Sequence, residues 1–155
     1  MKQLESLSAT APNRPRDLDG FIKAYEEARA ADGDAALVDF LPRVEHPLYM
    51  DVLRELVRVD LELAWHDGRA RRLEDYAVDF PELFRDRCAL GETAFEEYRL
   101  RRLAGEKPSP RDYARRFDID TSGWPEESAA EAGAPSDLPV TIRGPLTDVH
   151  EENDG

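Results

Sequence analysis

The sequence predicts an all-α protein organised as a small helical repeat. Two stretches, residues 61–80 and 98–117, carry the same landmarks 37 residues apart. Each holds a glycine, a tyrosine eight residues later and a phenylalanine four residues after the tyrosine. The landmarks are Gly68, Tyr76 and Phe80 in the first stretch and Gly105, Tyr113 and Phe117 in the second. A unit of this length fits a helix-loop-helix pair, which buries its apolar face by stacking on the next unit. We therefore expect two copies, at about residues 48–81 and 90–118.

Composition and charge divide the chain of 155 residues into three parts. With 41% hydrophobic and 35% charged residues, the chain can form one core of modest size. Residues 1–16 show no hydrophobic periodicity and are expected to be a disordered leader, whereas residues 17–124 are expected to form the helical domain. Residues 126–155 hold eight acidic residues and one basic residue, so we expect an acidic disordered tail or linker from residue 125 onward.

The net charge of −13 argues against some classes of partner. Such a chain is repelled by nucleic acids and by anionic membrane surfaces, so we expect neither as a partner. No run of about 18 apolar residues occurs, and no signal peptide is recognisable at the N-terminus. The single cysteine, Cys88, fits a reducing compartment and a small, partly buried side chain. These features predict a soluble, cytoplasmic protein.

The first helix is predicted to begin after Asp17 and to end at Gly33, which favours a left-handed terminus. Its apolar positions recur at steps of three and four residues: Leu18, Phe21, Ile22, Tyr25 and Ala28. A second, shorter helix is expected to be capped by Asp34 and to stop at Pro42. It would bring together Leu37, Val38 and Leu41.

The longest helix is predicted from Pro47 to about Asp67, at the centre of the core. Its apolar stripe consists of Tyr49, Val52, Leu53, Leu56, Val59, Leu63 and Ala64. Gly68 is expected to supply a left-handed turn at its end. A basic loop then leads to a short helix that carries Tyr76 and Phe80 and ends at Pro81.

The second copy is predicted to repeat this plan. Its long helix carries Phe95, Tyr98, Leu100 and Leu103. Ser109, Pro110 and Asp112 suggest an N-cap, a first-turn proline and a variant capping box for the short helix. The recurring tyrosines and phenylalanines are expected to pack in the core rather than to line a ligand pocket. Trp124 is expected to be the last residue that contacts the folded domain.

The residues of the two copies resemble a segment of a known protein family. Both copies contain an acidic or aromatic helix, a glycine, a Pro-Ser or Arg-Leu pair and a Tyr-x-x-x-Phe ending. The elements are Asp60, Gly68, Leu73, Tyr76, Phe80 and Pro81 in the first copy, and Glu97, Tyr98, Gly105, Pro108, Ser109, Tyr113 and Phe117 in the second. Over about residues 18–118, the chain is similar to the helical segment upstream of the catalytic domain in large planctomycete-type bacterial serine/threonine protein kinases.

The resemblance implies a non-catalytic role, because the kinase activity of that family belongs to another domain. The chain has no glycine-rich phosphate loop followed by a strand lysine, no His-Arg-Asp loop and no Asp-Phe-Gly motif. We therefore expect no enzymatic activity and no cofactor. The expected role is a protein-interaction or regulatory module associated with bacterial serine/threonine kinase signalling, whose partner is a kinase or its substrates. Whether a kinase domain follows in a longer reading frame is left open.

Clustered arginines are the candidate partner-binding residues, since guanidinium groups bind phosphorylated or acidic segments. Besides a group at Arg69, Arg71 and Arg72, the candidates are Arg99, Arg101, Arg102, Arg111, Arg115 and Arg116. The alternative is a solvated face of local ion pairs with neighbouring Asp and Glu. A further hypothesis is that the acidic tail folds back on this basic surface and masks it.

Two alternative functions are less favoured. Residues 118–121 match the Asp-x-Asp-x-Thr string of aspartate-nucleophile phosphatases, with Asp118 and Asp120 as the acidic residues, but that chemistry needs a buried strand and this string follows a helix. An acidic mimic of nucleic acid is the other alternative, and it requires an ordered acidic surface. No metal site is expected, because His46, His66 and His150 are scattered and Cys88 has no ligand partner at a suitable distance.

Overall fold

The structure, a computed structural model, describes residues 15–126. In this part of the chain five helices are present and no strand, which confirms the predicted all-α class. They are α1 (Leu18–Asp32), α2 (Tyr49–His66), α3 (Pro81–Arg85), α4 (Arg87–Leu103) and α5 (Pro110–Phe117), with 3₁₀ turns at Leu37–Phe40 and Leu73–Tyr76. Residues 1–14 of the predicted disordered leader (1–16) and residues 127–155 of the predicted disordered tail (125–155) lie outside the described residues.

Helix α1 begins and ends where the sequence predicts. The carboxylate of Asp17 accepts a hydrogen bond from the backbone N–H of Gly20 at 2.8 Å, which satisfies one of the free N–H groups of the first turn. At the other end Gly33 has a φ of 69° and closes the helix through its N–H to the carbonyl of Arg29. Phe21 and Tyr25 are buried, so the predicted stripe faces the core.

The predicted second helix is wrong in type and in cap. Residues Leu37–Phe40 form one 3₁₀ turn whose N-cap position is Ala36, and no side chain caps it. In a 3₁₀ turn residues three apart share a face, so Leu37 and Phe40 point inward together. Val38 falls on the other side and is 60% exposed. Asp34 is exposed and is not the cap.

Helix α2 is the longest helix and the centre of the core, as predicted, and packs against α1, α3 and α4. It begins two residues later than expected, because Pro47 lies in the turn that precedes it. The predicted Val59 and Leu63 are only half-buried. Its buried residues are Tyr49, Val52, Leu53, Leu56, Val57, Asp60, Leu61 and Ala64. The buried stripe therefore includes Val57 and Leu61 in place of Val59 and Leu63, and it contains the carboxylate of Asp60.

The segment after α2 differs from its prediction around Pro81. Tyr76 ends a 3₁₀ turn, and Pro81 is the first residue of α3 rather than the stop of a helix. Proline is favoured at a first helical position because its missing N–H would have no partner there. Tyr76 and Phe80 are still buried, as expected of core aromatics.

The second half of the domain follows the prediction in outline and departs from it in three side chains. Tyr98 and Leu100 of α4 are buried, but Leu103 is 72% exposed at its end. Ser109 occupies the N-cap position of α5 but its side chain makes no cap, and Asp112 pairs with Arg115, so the expected capping box is absent. Cys88, expected to be partly buried, is exposed in the first turn of α4.

Trp124 packs against the domain as predicted, but it is not the last residue to do so, because the carbonyl of Pro125 accepts from Tyr98 and Arg102. The Trp124 ring lies 5.1–5.4 Å from the ring centroids of Phe95, Tyr98 and Tyr113. Tyr98 and Tyr113 also meet edge to face at 5.7 Å. Such contacts contribute about 0.5–1.5 kcal/mol per pair beyond area burial. The aromatic cluster therefore fixes the chain where it leaves the domain.

Two glycines provide a matched test of backbone conformation. Gly105 follows α4 with a φ of 83°, whereas Gly91 lies inside α4 with open space around its α-carbon. We expect Gly105→Ala to lower the free energy of unfolding by about 1 kcal/mol, because alanine is strained at a positive φ. Gly91→Ala should raise it by about 0.5–1 kcal/mol, because alanine favours the helix. Urea unfolding measures both, and equal stability of the two variants would contradict the assigned conformations.

Candidate functional site

Three carboxylates are buried among residues 15–126: Asp60 on α2, and Glu96 and Glu97 on α4, with exposed fractions of 2%, 5% and 0%. Glu96 pairs with Arg99 on its own helix, whereas Asp60 and Glu97 take their hydrogen-bond donors from other parts of the domain. An ionised carboxylate is costly to bury unless it is paired and hydrogen-bonded, so each one demands a set of donors. These donors come from several elements and position the arginines that the sequence singles out.

Asp60 accepts hydrogen bonds from three side chains. The hydroxyl of Tyr25 donates to Oδ1 at 2.5 Å, and the hydroxyl of Tyr76 and Nη1 of Arg71 donate to Oδ2, each at 2.6 Å. The guanidinium of Arg29, whose side chain is 9% exposed, lies 3.7 Å from Oδ1. Asp60 thus joins α1, α2 and the segment after Gly68.

These donors determine the charge state of Asp60. Burial by itself raises the pKa of its carboxyl, but the hydrogen bonds from Tyr25, Tyr76 and Arg71 and the charge of Arg71 outweigh burial. The net pKa is below the ordinary value of 3.8. Burial and the adjacent carboxylate raise the pKa of the Tyr25 and Tyr76 hydroxyls, so both remain donors at neutral pH.

Glu97 is held by a similar but separate set of donors. The backbone N–H of Leu73 donates to Oε2 at 2.6 Å, and the hydroxyl of Tyr113 donates to Oε1 at 2.8 Å. The guanidinium groups of Arg101 and Arg116 lie 3.9 and 3.5 Å from Oε1. Burial, followed by the charge of Glu97, raises the pKa of Tyr113 to about 12. Because Leu73 precedes Tyr76 by three residues, the turn at residues 73–76 contacts both carboxylates.

The sequence contained a signal for this arrangement. Tyr76 follows Asp60 by 16 residues, and Tyr113 follows Glu97 by the same interval. Asp60 and Glu97 are among the residues that carry the family resemblance, and Tyr76 and Tyr113 are landmarks of the repeat. Nothing in the sequence indicates that each acidic residue contacts the tyrosine of its own copy. Acidic residues within an amphipathic helix usually lie on its polar face, so their burial had to come from the structure.

The predicted partner-binding arginines divide into two groups. Arg101 and Arg116 contact the buried Glu97, and each also pairs with an exposed carboxylate, of Glu106 and Glu74 respectively. The others lie at the surface of the domain. Arg99 pairs with Glu96 at 2.5 Å, Arg115 pairs with Asp112, Arg102 donates to the carbonyl of Pro125 at 3.4 Å, and Arg111 has no ion-pair partner among residues 15–126.

The group at Arg69, Arg71 and Arg72 lies near a cavity beside Asp60. This cavity has a volume of about 580 Å³ and is lined by Arg29, Arg69 and Arg71 as well as by Asp34, Asp75 and Asp79. Arg69 also pairs with Asp67 at 3.4 Å. Acidic groups therefore balance the arginines here, which does not favour an anion site.

The residues of the phosphatase-like string lie in an exposed loop. Asp118 follows α5 with a φ of 53°, its side chain is 86% exposed, and Arg87 pairs with it at 2.5 Å. The carboxylate of Asp120 accepts from the backbone N–H of Ser122 at 2.9 Å, and that hydrogen bond lowers its pKa. Within the described residues no strand precedes this loop, and no group of three His, Cys, Asp or Glu residues could hold a metal ion.

Comparison with known proteins found no similar family model, curated protein or solved structure. Between residues 15 and 126, none of the helices has the length and apolar character needed to span a bilayer.

The lowered pKa of Asp60 predicts a pH-dependent stability. Since the folded pKa lies below the unfolded pKa, the stability contributed by ionised Asp60 is complete above the unfolded value of about 4 and is lost as the pH falls through the folded value. We expect Asp60→Asn to cost about 3–5 kcal/mol at pH 7, because it leaves Arg71 without its charge partner and Arg29 with only Asp67. The loss should shrink on acidification, as measured by urea unfolding from pH 7 to pH 3.

Asp79→Asn is the matched control, because this substitution removes the same charge at an exposed position. Its stability should follow that of the wild type at every pH. If the loss of unfolding free energy in Asp60→Asn stays constant with pH, Asp60 stabilises the fold through packing rather than through its charge.

Removal of a tyrosine hydroxyl that donates to a buried carboxylate should be costly. We expect Tyr76→Phe and Tyr113→Phe each to lower the free energy of unfolding by about 1–3 kcal/mol, because a buried carboxylate loses a donor. Tyr49→Phe is the control, since the Tyr49 hydroxyl donates to the partly exposed Glu82, which water can solvate. Chemical denaturation measures all three, and a larger loss for Tyr49→Phe would contradict this account.

Proposed function

We propose that this chain is a non-catalytic protein-interaction and regulatory module associated with bacterial serine/threonine kinase signalling. The observation that carries the proposal is the separation of its arginines into an inward group and an outward group. Arg101 and Arg116 are engaged by the buried Glu97, whereas Arg99, Arg102, Arg111 and Arg115 lie at the surface. A surface of guanidinium groups held on a rigid helical frame suits a phosphorylated or acidic protein segment.

The charge distribution supports this choice of surface. The chain as a whole carries a net charge of −13, yet residues 99–116 contain seven basic and two acidic residues. A basic region in an acidic protein directs an acidic partner to one face and repels it elsewhere. The resemblance to the segment upstream of kinase catalytic domains supplies the proposed context, with a kinase or its substrates as the partner.

The module is proposed to consist of two related units, residues 48–81 and 90–118. Three features support this: Gly68 and Gly105 both have positive φ, the two carboxylates are equivalent in spacing, and each accepts from a tyrosine 16 residues later. The units also differ, because a 3₁₀ turn and α3 follow the first glycine and α5 follows the second. Helical pairs of this kind commonly present extended binding surfaces.

No observation favours the alternatives. An aspartate nucleophile needs an activated and shielded carboxylate, whereas Asp118 is exposed and paired with Arg87. A nucleic-acid mimic needs an ordered row of acidic groups, and residues 126–155, with eight acidic residues and one basic residue, carry more than half of the net negative charge of the chain. The protein is proposed to act in the cytoplasm, without cofactor.

The test is affinity capture from a lysate of the native host, with the full chain as bait and mass spectrometry as readout. We expect a serine/threonine kinase or its phosphorylated substrates to be recovered by the wild type. Arg102→Glu/Arg111→Glu should lose this partner, because the reversal places like charges against an acidic segment.

Lys23→Glu/Arg85→Glu is the matched control, because it makes the same change in net charge at exposed positions on α1 and α3. It should capture the same partner as the wild type. Recovery of no kinase or kinase substrate, or equal loss in both double variants, would overturn the proposal. Incubation of the full chain with a phosphate ester and Mg²⁺ should give no turnover above that of Asp118→Asn.

A further inference from the structure

The chain leaves the described domain at a fixed point on α4. Trp124 packs into the cluster of Phe95, Tyr98 and Tyr113, and the carbonyl of Pro125 accepts from the Tyr98 hydroxyl and from Arg102. These contacts place residues 124–126 across the C-terminal half of α4. The residues that follow therefore start beside the basic part of the domain.

The surface at this exit has both charged and apolar components. A shallow cavity of about 260 Å³ is lined by Phe95, Arg99, Arg102, Leu103 and Pro125, together with Tyr98. Phe95, Arg99 and Leu103 are spaced four residues apart, so they share one face of α4. We call this face the α4 surface. Leu103 is one of four large hydrophobic residues that stand exposed among residues 15–126, and Arg102 is also exposed.

The sequence after residue 126 complements this surface. Residues 127–155 contain seven acidic residues and one basic residue, and an apolar stretch, Leu-Pro-Val-Thr-Ile, occupies residues 138–142. An extended chain spans up to about 3.3–3.6 Å per residue, so the 12 residues from Glu126 to Leu138 can reach about 40 Å. The 17 residues of α4 extend only about 25 Å. Both the acidic residues and the apolar stretch can therefore reach the α4 surface.

We propose that residues 127–155 dock on the α4 surface of the same chain, with carboxylates at Arg99 and Arg102 and with residues 138–142 against Phe95 and Leu103. Tethering next to the site gives an effective concentration in the millimolar range, so weak contacts suffice. The docked segment is an internal competitor, and an acidic partner that uses these arginines has to displace it. This inference does not depend on the link to kinases.

Paramagnetic relaxation in the full chain tests the docking. Cys88→Ser removes the single native thiol, and Ser136→Cys provides a site for a nitroxide beside the apolar stretch. The label should reduce the amide signal intensities of residues 95–103 and leave those of α1 unchanged. The loss should disappear at about 1 M salt, where the screening length is about 3 Å.

Arg99→Gln/Arg102→Gln should abolish the intensity loss on α4. Lys23→Gln/Arg85→Gln, which removes two positive charges elsewhere, should retain it. A third variant, Glu127→Gln/Glu131→Gln/Asp137→Asn, leaves α4 untouched and should also abolish the loss. It keeps the test valid if the α4 variant does not fold.

Two results would overturn the proposal. The first is equal relaxation of α1 and α4, which indicates no preferred site for the segment. The second is relaxation that appears only when a spin-labelled chain without isotope is mixed with an isotope-labelled chain without a nitroxide. That pattern would show that the segment binds a second copy rather than its own α4.

Discussion

The fold depends on the need to satisfy Asp60 and Glu97, two of the three buried carboxylates among residues 15–126. Helices α2 and α4 form the centre of the domain, and these two side chains lie where water cannot reach them. Asp60 obtains its donors from α1 and from residues 71–76, and Glu97 obtains one of its donors from the backbone of Leu73. If residues 71–76 left their position, Asp60 would lose the hydrogen bonds from Arg71 and Tyr76, and Glu97 would lose the hydrogen bond from Leu73. Hydrogen bonds to the two carboxylates therefore hold this segment in place, together with the burial of Leu73 and Tyr76 in the core.

The same requirement divides the arginines by role. A guanidinium next to a buried carboxylate is fixed in direction, and Arg71, Arg101 and Arg116 are fixed in this way. Arginines that pair only with exposed neighbours on their own helix, such as Arg115 with Asp112, gain a few tenths of a kcal/mol and exchange partners easily. The inward arginines thus stabilise the frame, and the outward arginines remain available for contacts with other segments.

The sequence predicted those features whose causes are local. Asp17, Gly33, Gly68 and Gly105 mark helix ends through their own side-chain or backbone chemistry, and the structure confirms all four. One prediction failed where two local preferences competed: Asp112 pairs with Arg115, three residues further along the same helix, rather than capping α5. Others could not be made because the partners are distant in sequence. The donors of Asp60 and Glu97 come from residues 11 to 35 positions away, a distance at which hydrophobic periodicity carries no information.

The buried charges also determine how precisely α2 and α4 are positioned, and with them the side chains on the outer face of α4. Apolar side chains at positions 60 and 97 would fill similar volumes, but hydrophobic contact has no direction and tolerates small shifts between α2 and α4. A carboxylate with two or three donors accepts one arrangement, because a shift of about 1 Å lengthens several hydrogen bonds at once. Arg99, Arg102 and Leu103 lie on the same α4 as Glu97, so the contacts that fix the helix in the core also fix the spacing of charged and apolar groups on its outer face.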